Sequence, residues 1–338
     1  MVLTESQIRL GEVLDGLVTR DFTGRGIAYP LYQAARARKE SPLIMSTAVR
    51  LANELSVGDR VVIATGFPSR SWLIRGLTET DGPAGAAYLA RFLEQTTGCV
   101  PILLMEESLR RFGEVALRSA GLIVSDIDTA MKSKPGPPRA SVAAVVNFPV
   151  ERGAAVNRID EFFRVIAPKA LIAVEFPGQN QDGRCYNVSG REIPSDLIPK
   201  VEELFKSARE HGVLTVGIGD GGNELGMGTI RNTVVAHLEN GDIVAPVTGV
   251  DELIVACISN WGAYGLGAAL SFLRGQPELL RTVSIERITT ALANEGAIDG
   301  LTAYTDPNND GTLPSTNAAL QEMLHATVSM YVKGWNKG

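Results

Sequence analysis

The chain of 338 residues is 45% hydrophobic and 21% charged, so it can bury a core without a disulfide or a metal staple. A formal net charge of −6 with no basic stripe argues against a nucleic-acid partner. The first residues lack a signal-peptide pattern, no apolar run approaches the roughly 18 residues of a membrane span, and the cysteines are widely spaced. We therefore expect a cytoplasmic protein with no membrane partner.

Short β-branched segments alternate along the chain with longer segments of helical periodicity, which predicts a three-layer α/β fold. The sheet should be mainly parallel, with helices on both faces. The predicted strands are 60–65, 100–105, 141–148, 171–176, 214–218 and 253–257. The predicted helices are 41–55, 83–96, 108–119, 159–167, 196–210, 260–274, 285–293 and 316–332.

We expect one continuous α/β unit over residues 1–338. Residues 1–56 should form an N-terminal helical segment, residues 57–300 the sheet core with its motif loops, and residues 301–338 a C-terminal helix. The segment KSKPGPPR at 132–139 is rich in proline and in basic residues. It is the best candidate for a mobile surface flap or a domain boundary.

Ligands of parallel α/β sheets bind beyond the carboxyl ends of the strands, so the loops after the predicted strands are candidate sites. The first loop starts at Gly66 and leads to Thr80, Asp81 and Gly82, just before a proline that suits a first helical turn. Free N–H groups at a helix start favour an anion, so this segment is a candidate cradle for a substrate carboxylate. The alternative is a capped helix with no ligand.

The most informative loop is GIGDGGNELGMG at 217–228, which directly follows an apolar strand. Its glycines allow the backbone to approach a ligand closely, and a purely structural loop has little need for acidic and amide side chains. Asp220 and Glu224 are candidate acid/base groups or metal ligands, which would share one side if a helix begins early. Gly221, Gly222 and Asn223 are candidate substrate-binding residues.

Gly217, Gly219 and Gly222 also satisfy G-x-G-x-x-G, the dinucleotide fingerprint. A dinucleotide loop places small neutral residues against the pyrophosphate, which Asp220 and Glu224 would repel. We therefore expect no nucleotide cofactor. A nicotinamide-dependent oxidoreductase stays the alternative enzyme class.

Further polar residues follow the remaining strands. Glu175 ends a predicted strand beside a Pro-Gly turn, a common position for a functional carboxylate. Asp251 is a catalytic candidate because it adds a second acidic pair close to a glycine-rich helix start, and Asn260 and Asp299 are substrate-binding candidates. The sequence contains no phosphate loop, zinc helix or nucleophile elbow, which leaves carboxylate, amide and backbone chemistry.

Five segments, in the same order, resemble the C-terminal domain of D-glutamate cyclase: ETDGP at 79–83, EFPGQNQDGRCYN at 175–187, GIGDGGNELGMG at 217–228, SNWGAYGLGAAL at 259–270 and GAIDG at 296–300. The resemblance implies a Rossmann-like fold. It also implies a hydro-lyase that converts D-glutamate, or a related small amino dicarboxylate, to 5-oxo-D-proline and water. Longer members of that family carry a hydratase-like region, so a separate hydratase-like protein is a candidate partner.

Ring closure of glutamate requires an unprotonated amine and an electrophilic carboxyl group, and well-oriented intramolecular reactions gain on the order of 7–11 kcal/mol. Asp220, Glu224 and Asp251 have the chemistry to accept a proton, and Mg²⁺ or Mn²⁺ would favour oxygen ligands such as Asp220 and Glu224. Because gathered carboxylates would repel an anionic substrate, we expect such a cation. The prediction requires Asp220, Glu224 and Asp251 to meet in one cleft. A non-catalytic ligand-binding protein and a homo-oligomer are further hypotheses.

Overall fold

The computed structural model describes residues 2–133 and 140–334. The predicted flap at 132–139 therefore lies outside the described residues, apart from its first two positions. The strands are β1 (Arg60–Thr65), β2 (Val100–Leu104), β3 (Ile123–Ser125), β4 (Val142–Val146), β5 (Pro168–Val174), β6 (Cys185–Tyr186), β7 (Glu192–Ile193), β8 (Leu214–Gly219) and β9 (Glu252–Val255). The helices are α1 (Glu5–Val18), α2 (Ala28–Ala37), α3 (Leu43–Glu54), α4 (Pro83–Thr97), α5 (Arg110–Ser119), α6 (Ile127–Lys132), α7 (Arg152–Asn157), α8 (Ile159–Val165), α9 (Val201–Ser207), α10 (Arg231–His237), α11 (Gly241–Val244), α12 (Ser259–Leu273), α13 (Ile285–Asn294) and α14 (Pro314–Lys333).

Seven strands of the described chain form one parallel sheet in the order β3-β4-β2-β1-β5-β8-β9, and β6 and β7 pair as a small antiparallel hairpin. The chain leaves β1 towards β2 and later returns on the other side of β1 as β5. At such a switch point the loops after the two neighbouring strands run in opposite directions and leave a crevice. The crevice between β1 and β5 therefore lies at the carboxyl ends of the central strands.

Side chains of the central strands alternate between two apolar cores, one on each face of the sheet. In β1, Val61 and Ile63 pack in the core that contains α1, α3, α4 and α12, whereas Val62 and Ala64 pack in the core that contains α8 and α9. The alternation arises because successive side chains of a strand point to opposite faces. The predicted three-layer α/β fold, with a parallel sheet between two helical layers, is confirmed.

The long predicted elements are present with small shifts at their ends, whereas several short elements lie outside the predicted set. β3 is a three-residue strand at the sheet edge whose side chains are exposed or half-buried, so it has no strong apolar signal. The predicted helix 196–210 is reduced to α9, because Pro199 holds Ile198 in an extended conformation and cannot continue a helix.

Helix α12 lies in the centre of one helical layer and is buried from Ser259 to Ser271. A Cβ at Gly265 would lie only 2.7 Å from the Cδ1 atom of Ile44, so glycine permits the close packing of α12 on α3. The first residue of α12, Ser259, lies at the carboxyl end of the sheet. No helix of the described residues is both long enough and apolar enough to cross a membrane.

Candidate active site

A cavity of about 260 Å³ opens at the carboxyl ends of β1, β5 and β8, at the switch point of the sheet. Its walls also include the β6–β7 hairpin, a loop of the N-terminal segment and the loop before α14. Carboxyl groups outnumber guanidinium groups in the lining, so the cavity suits a ligand that brings positive charge. The charged lining residues are Arg25, Arg70, Arg191, Glu79, Glu175, Glu192, Asp220, Glu224 and Asp310.

Three buried carboxylates form the innermost part of the site, which we call the carboxylate cluster: Asp81, Glu175 and Asp220. Each offers an oxygen within 4.8 Å of the other two. They follow β1, β5 and β8 respectively, so the sheet brings together loops that are distant in sequence. Burial raises the pKa of Asp81 and of Glu175 well above the usual range, and neighbouring negative charges raise both pKa values further. The cluster therefore resists full ionisation without a compensating cation.

Asp81 and Asn260 cap each other's helices: the Asp81 side chain caps the start of α12, and the Asn260 side chain caps the start of α4. The Asp81 carboxylate accepts hydrogen bonds from the N–H groups of Ser259 and Asn260, at 3.0 and 2.7 Å. The side-chain oxygen of Asn260 accepts from the N–H groups of Gly82 and Gly85 at the start of α4, at 3.0 and 2.6 Å. The sequence predicts that N–H groups around Asp81 and Gly82 hold a substrate carboxylate. The Gly82 N–H donates to Asn260 instead, which argues against its part in such a cradle. The N-termini of α4 and α12 are therefore joined by these side-chain hydrogen bonds.

Glu175 lies immediately after β5 in the left-handed backbone region, with a φ of 45°. Residues other than glycine adopt this conformation rarely, and such strain is concentrated at functional sites. The Oε2 atom of Glu175 accepts a hydrogen bond from the Oγ atom of Ser259 at 2.5 Å. A Cβ at Gly82 would lie 2.9 Å from the Cβ of Glu175, so the loops after β1 and β5 can meet only with glycine at position 82.

The glycine-rich loop after β8 folds around the side chain of Glu224. This carboxylate accepts three successive N–H groups, at 3.3, 2.6 and 2.8 Å, from Asp220, Gly221 and Gly222. The segment is a turn, so the prediction that Asp220 and Glu224 share one side of an early helix is wrong. Glu224 organises the loop, and Asp220 rather than Glu224 joins the carboxylate cluster. Burial and the charge of Asp220 raise the pKa of Glu224.

A second pair of carboxyl groups, Glu79 and Asp310, lies beside Gly300. A Cβ at Gly300 would overlap Oε2 of Glu79 and lie 2.9 Å from Oδ1 of Asp310, so this position requires glycine. Burial raises the pKa of Glu79, and the charge of Asp310 raises it further. Burial and the charge of Asp220 likewise raise the pKa of Asp310, while Arg25 lowers it. The pair can therefore hold a proton at neutral pH.

Arg25 brings positive charge into the acidic site from the loop between α1 and α2. Its guanidinium group donates to Oδ2 of Asp220 at 2.7 Å and to the carbonyl oxygen of Cys257, and it lies 3.6 Å from Oδ2 of Asp310. The Arg25 side chain is 26% exposed, whereas that of Asp220 is 3% exposed. Because Arg25 contacts acids from two distant loops, the N-terminal helical segment is part of the site.

Two further arginines lie on the solvent side of the cavity, around the partly exposed ring of Trp72. The guanidinium group of Arg191, from the β6–β7 hairpin, is 4.3 Å from the centre of this ring, and that of Arg70 is 5.6 Å away. Arg70 also donates to the carbonyl oxygen of Gly300 at 3.1 Å. Arg70 and Arg191 therefore bring positive charge to this side of the cavity, where the hairpin also contributes the exposed carboxylate of Glu192.

Asp251 lies outside this cavity. Its Oδ2 atom accepts hydrogen bonds from the N–H and hydroxyl groups of Thr215, at 2.9 and 2.7 Å. Thr215 is the second residue of β8, whereas Asp220 follows the other end of that strand. The prediction that Asp251 meets Asp220 and Glu224 in one cleft is therefore wrong. Asp251 precedes β9, and in a parallel sheet the residues before and after the strands lie at opposite edges.

The predicted glycines and Asn223 divide into residues that line the cavity and residues that shape its loops. Gly221 and Asn223 line the cavity, and Nδ2 of Asn223 donates to the carbonyl oxygen of Tyr186 in the hairpin at 2.9 Å. Gly66 and Gly222 have φ values of 101° and 94°, which favour glycine, and both pack against apolar side chains.

Thr80 and Asp299, also predicted to bind substrate, are buried and make contacts within the protein. The hydroxyl group of Thr80 donates to the carbonyl oxygen of Asn308 at 2.5 Å. The carboxylate of Asp299 accepts hydrogen bonds from the N–H groups of Leu301 and Gly311, at 3.1 and 2.9 Å. Both residues therefore shape the loop that carries Asp310.

Several residues of the site have no assigned role in the prediction. Glu175 is marked only by its place at the end of a predicted strand, and Glu79 belongs to a loop that follows one, so their positions were an available signal. Arg25, Arg191 and Asp310 come from segments that follow no strand of the sheet, and nothing in the local sequence marks them. Only the folded chain shows that these residues share a cavity.

Comparison with known proteins agrees with the motif resemblance. A family model described as D-glutamate cyclase-like, C-terminal, matches residues 14–325, which include the sheet and the whole site. The human (Homo sapiens) protein named D-glutamate cyclase, mitochondrial, is 32% identical over 221 residues, which is 65% of this chain and 34% of that relative. The match thus spans about a third of the length of the relative. The chain therefore belongs to the D-glutamate cyclase-like C-terminal family.

Proposed function

We propose that this protein is a lyase of the D-glutamate cyclase type, which closes D-glutamate or a related small amino dicarboxylate to 5-oxo-D-proline and water. The observation that carries the proposal is the carboxylate cluster: three buried acids at the switch point with oxygens within 4.8 Å of one another. Such a group needs a cation, either a metal ion or the ammonium group of a substrate. The name of the human relative supports glutamate as the substrate.

The distribution of charge in the cavity supports an amino dicarboxylate. Glu175 and Asp220 place negative charge in its lining, with Asp81 close beside them, while Arg70 and Arg191 lie beside Trp72 on another side of the cavity. A substrate with one ammonium and two carboxylate groups matches both ends of this arrangement. Arginine is suited to carboxylates because its planar fork donates two parallel hydrogen bonds.

The reaction forms a bond between the substrate nitrogen and its side-chain carboxyl carbon, and it breaks one carbon–oxygen bond of that carboxyl group. Two ammonium protons leave with the oxygen as water. We assign the proton transfers to Asp310 and Glu79, because Arg25 lies 3.6 Å from Asp310 and favours its ionised form, while burial favours protonated Glu79. Ionised Asp310 would accept the two nitrogen protons in turn, and Glu79, reprotonated from Asp310 between the two transfers, would deliver two protons to the leaving oxygen, which departs as water.

The donor set also fits the divalent cation expected from the sequence. Asp81, Glu175 and Asp220 offer carboxylate oxygens, the ligand type that Mg²⁺ and Mn²⁺ prefer, and a cation would offset their mutual repulsion. These three residues, rather than the predicted pair Asp220 and Glu224, are the candidate ligands. A bound cation would polarise the substrate carboxyl group as a Lewis acid.

The hydrogen bonds of the glycine-rich loop argue against the alternative of a nicotinamide-dependent oxidoreductase. A dinucleotide fingerprint holds pyrophosphate through N–H groups of the glycine loop and the helix start. Here the N–H groups of Asp220, Gly221 and Gly222 donate to Glu224 instead. The cyclase proposal is therefore favoured. Cytoplasmic location, a homo-oligomer and a hydratase-like partner stay predictions.

The test is a product assay on the purified chain, with D-glutamate and L-glutamate supplied separately and with Mg²⁺, Mn²⁺ or a chelator present. We expect 5-oxoproline from the D enantiomer and its loss after Glu79→Gln. The matched control is Glu210→Gln, which changes an exposed residue outside the cavity lining. Stabilisation of the chain by D-glutamate with no product would instead favour a non-catalytic ligand-binding protein.

A further inference from the structure

A second cavity, of about 740 Å³, lies at the amino-terminal ends of β8 and β9, whereas the carboxylate cluster lies at the carboxyl ends of the strands. Thr215 of β8 and Asp251, which precedes β9, belong to its lining. Asp220 comes five residues after Thr215 along β8, which at 3.3 Å per residue is about 16 Å. The second cavity is therefore separate from the candidate active site.

Three arginines from different elements line this cavity: Arg38 at the end of α2, Arg209 after α9, and Arg231 at the start of α10. Most arginines of the described chain contact a carboxylate, a carbonyl oxygen or an aromatic ring, as Arg36 does when it donates to Glu12 at 2.7 Å. The guanidinium groups of Arg38, Arg209 and Arg231 have no such partner among the described residues. Three unpaired cations thus converge in a chain with a net charge of −6.

The Nε atom of Arg231 is buried and has no hydrogen-bond partner among the described residues. A buried donor without a partner is costly, so this N–H group calls for an acceptor at this place. The carboxylate that lines the cavity, Asp251, already accepts two hydrogen bonds from Thr215. Both bonds use its Oδ2 atom, and Asp251 makes no hydrogen bond to Arg231. Since no described residue accepts from the Nε atom of Arg231, its acceptor comes from solvent or from a ligand.

We propose that this second cavity binds an oxyanion, and specifically the phosphate group of a small molecule or inorganic phosphate. Guanidinium groups donate paired hydrogen bonds to phosphate oxygens, and three of them around one cavity exceed the single negative charge of Asp251. Thr233 also lines the cavity, and its hydroxyl group is a further donor for such a ligand.

The experiment is calorimetric titration of the full chain with inorganic phosphate and with glycerol phosphate, at constant ionic strength set by chloride. We expect saturable binding that weakens about tenfold or more in both Arg231→Gln and Arg209→Gln. Arg209 is exposed, so its variant should fold even if the first does not. Arg231→Lys, which keeps the charge and loses the Nε donor, should fall between wild type and Arg231→Gln.

Two controls separate this site from other sources of binding. Arg164→Gln removes an exposed guanidinium group outside both cavities and should leave binding unchanged. Arg191→Gln alters the candidate active site and should also leave binding unchanged. The proposal is overturned if wild type shows no saturable binding, if Arg209→Gln and Arg231→Gln both bind like wild type, or if Arg191→Gln abolishes binding. Tighter binding of glycerol phosphate than of phosphate would identify an organic phosphate as the ligand, and equal binding would identify phosphate itself.

Discussion

Replacement of Glu175 by glutamine should remove function and stabilise the metal-free fold. The new side chain would be close in shape, and its amide oxygen would still accept the hydrogen bond that Ser259 donates at 2.5 Å. The change removes one negative charge from a cluster whose oxygens lie within 4.8 Å of one another. Two unit charges at that separation of 4.8 Å repel by about 3 kcal/mol at an effective dielectric constant of 20.

The assay is urea denaturation followed by circular dichroism, in chelator and at about pH 9, where more of the buried carboxyl groups are ionised. We expect the free energy of unfolding of Glu175→Gln to exceed that of wild type by about 3 kcal/mol. Added Mn²⁺ should stabilise wild type and have little effect on the variant, because a ligand that binds only the folded state raises its stability. The variant should also lose 5-oxoproline formation.

Glu210→Gln is the matched control, because it removes one exposed carboxylate that makes no resolved contact with the site. Its stability should stay within about 0.5 kcal/mol of wild type. The reasoning is refuted if metal-free Glu175→Gln unfolds at a lower urea concentration than wild type, or if it forms product at the wild-type rate. The first result would mean that the buried acids do not repel one another, and the second that turnover does not need the charge of Glu175.

Three further predictions concern other parts of the molecule. Burial raises the pKa of Glu202 from 4.5 to about 7, so the folded chain binds this proton more tightly and loses about 3 kcal/mol as pH rises between those values. Other buried carboxyl groups with raised pKa values contribute to the same slope, so Glu202→Gln should reduce the loss of stability by about 3 kcal/mol in urea denaturation series from pH 4 to 8, and an unchanged slope would contradict the burial argument. Asn260→Ala should lower the free energy of unfolding by about 2–4 kcal/mol, because the buried N–H of Gly85 loses its acceptor. A loss below about 1 kcal/mol, measured by urea denaturation, would refute the role of Asn260 as the cap of α4. Asp251→Asn should retain turnover within about twofold, since Asp251 binds Thr215 at the amino-terminal end of β8, away from the active site. A loss of initial rate with intact folding would show that Asp251 takes part in catalysis.

The sequence alone determined the layered architecture and the loops in which function would be found. Apolar strands such as β1 and β8, alternating with helical segments, are sufficient to indicate a parallel sheet buried on both faces. Because ligands bind after the strands of such a sheet, Asp81 and Asp220 could be named from their positions. Strand and helix periodicity, and the loops that follow strands, depend on neighbouring residues, so the sequence pattern alone is sufficient to show them.

Which carboxylates meet was decided only by the tertiary structure. Asp220 and Asp251 are both acids near glycines, yet one follows β8 and the other precedes β9, so they lie at opposite edges. Arg25 and Asp310 join Asp220 from loops near the two ends of the described chain, through contacts between residues far apart in sequence. The order and register of the strands place those loops side by side, and both depend on packing among distant segments that no local pattern encodes.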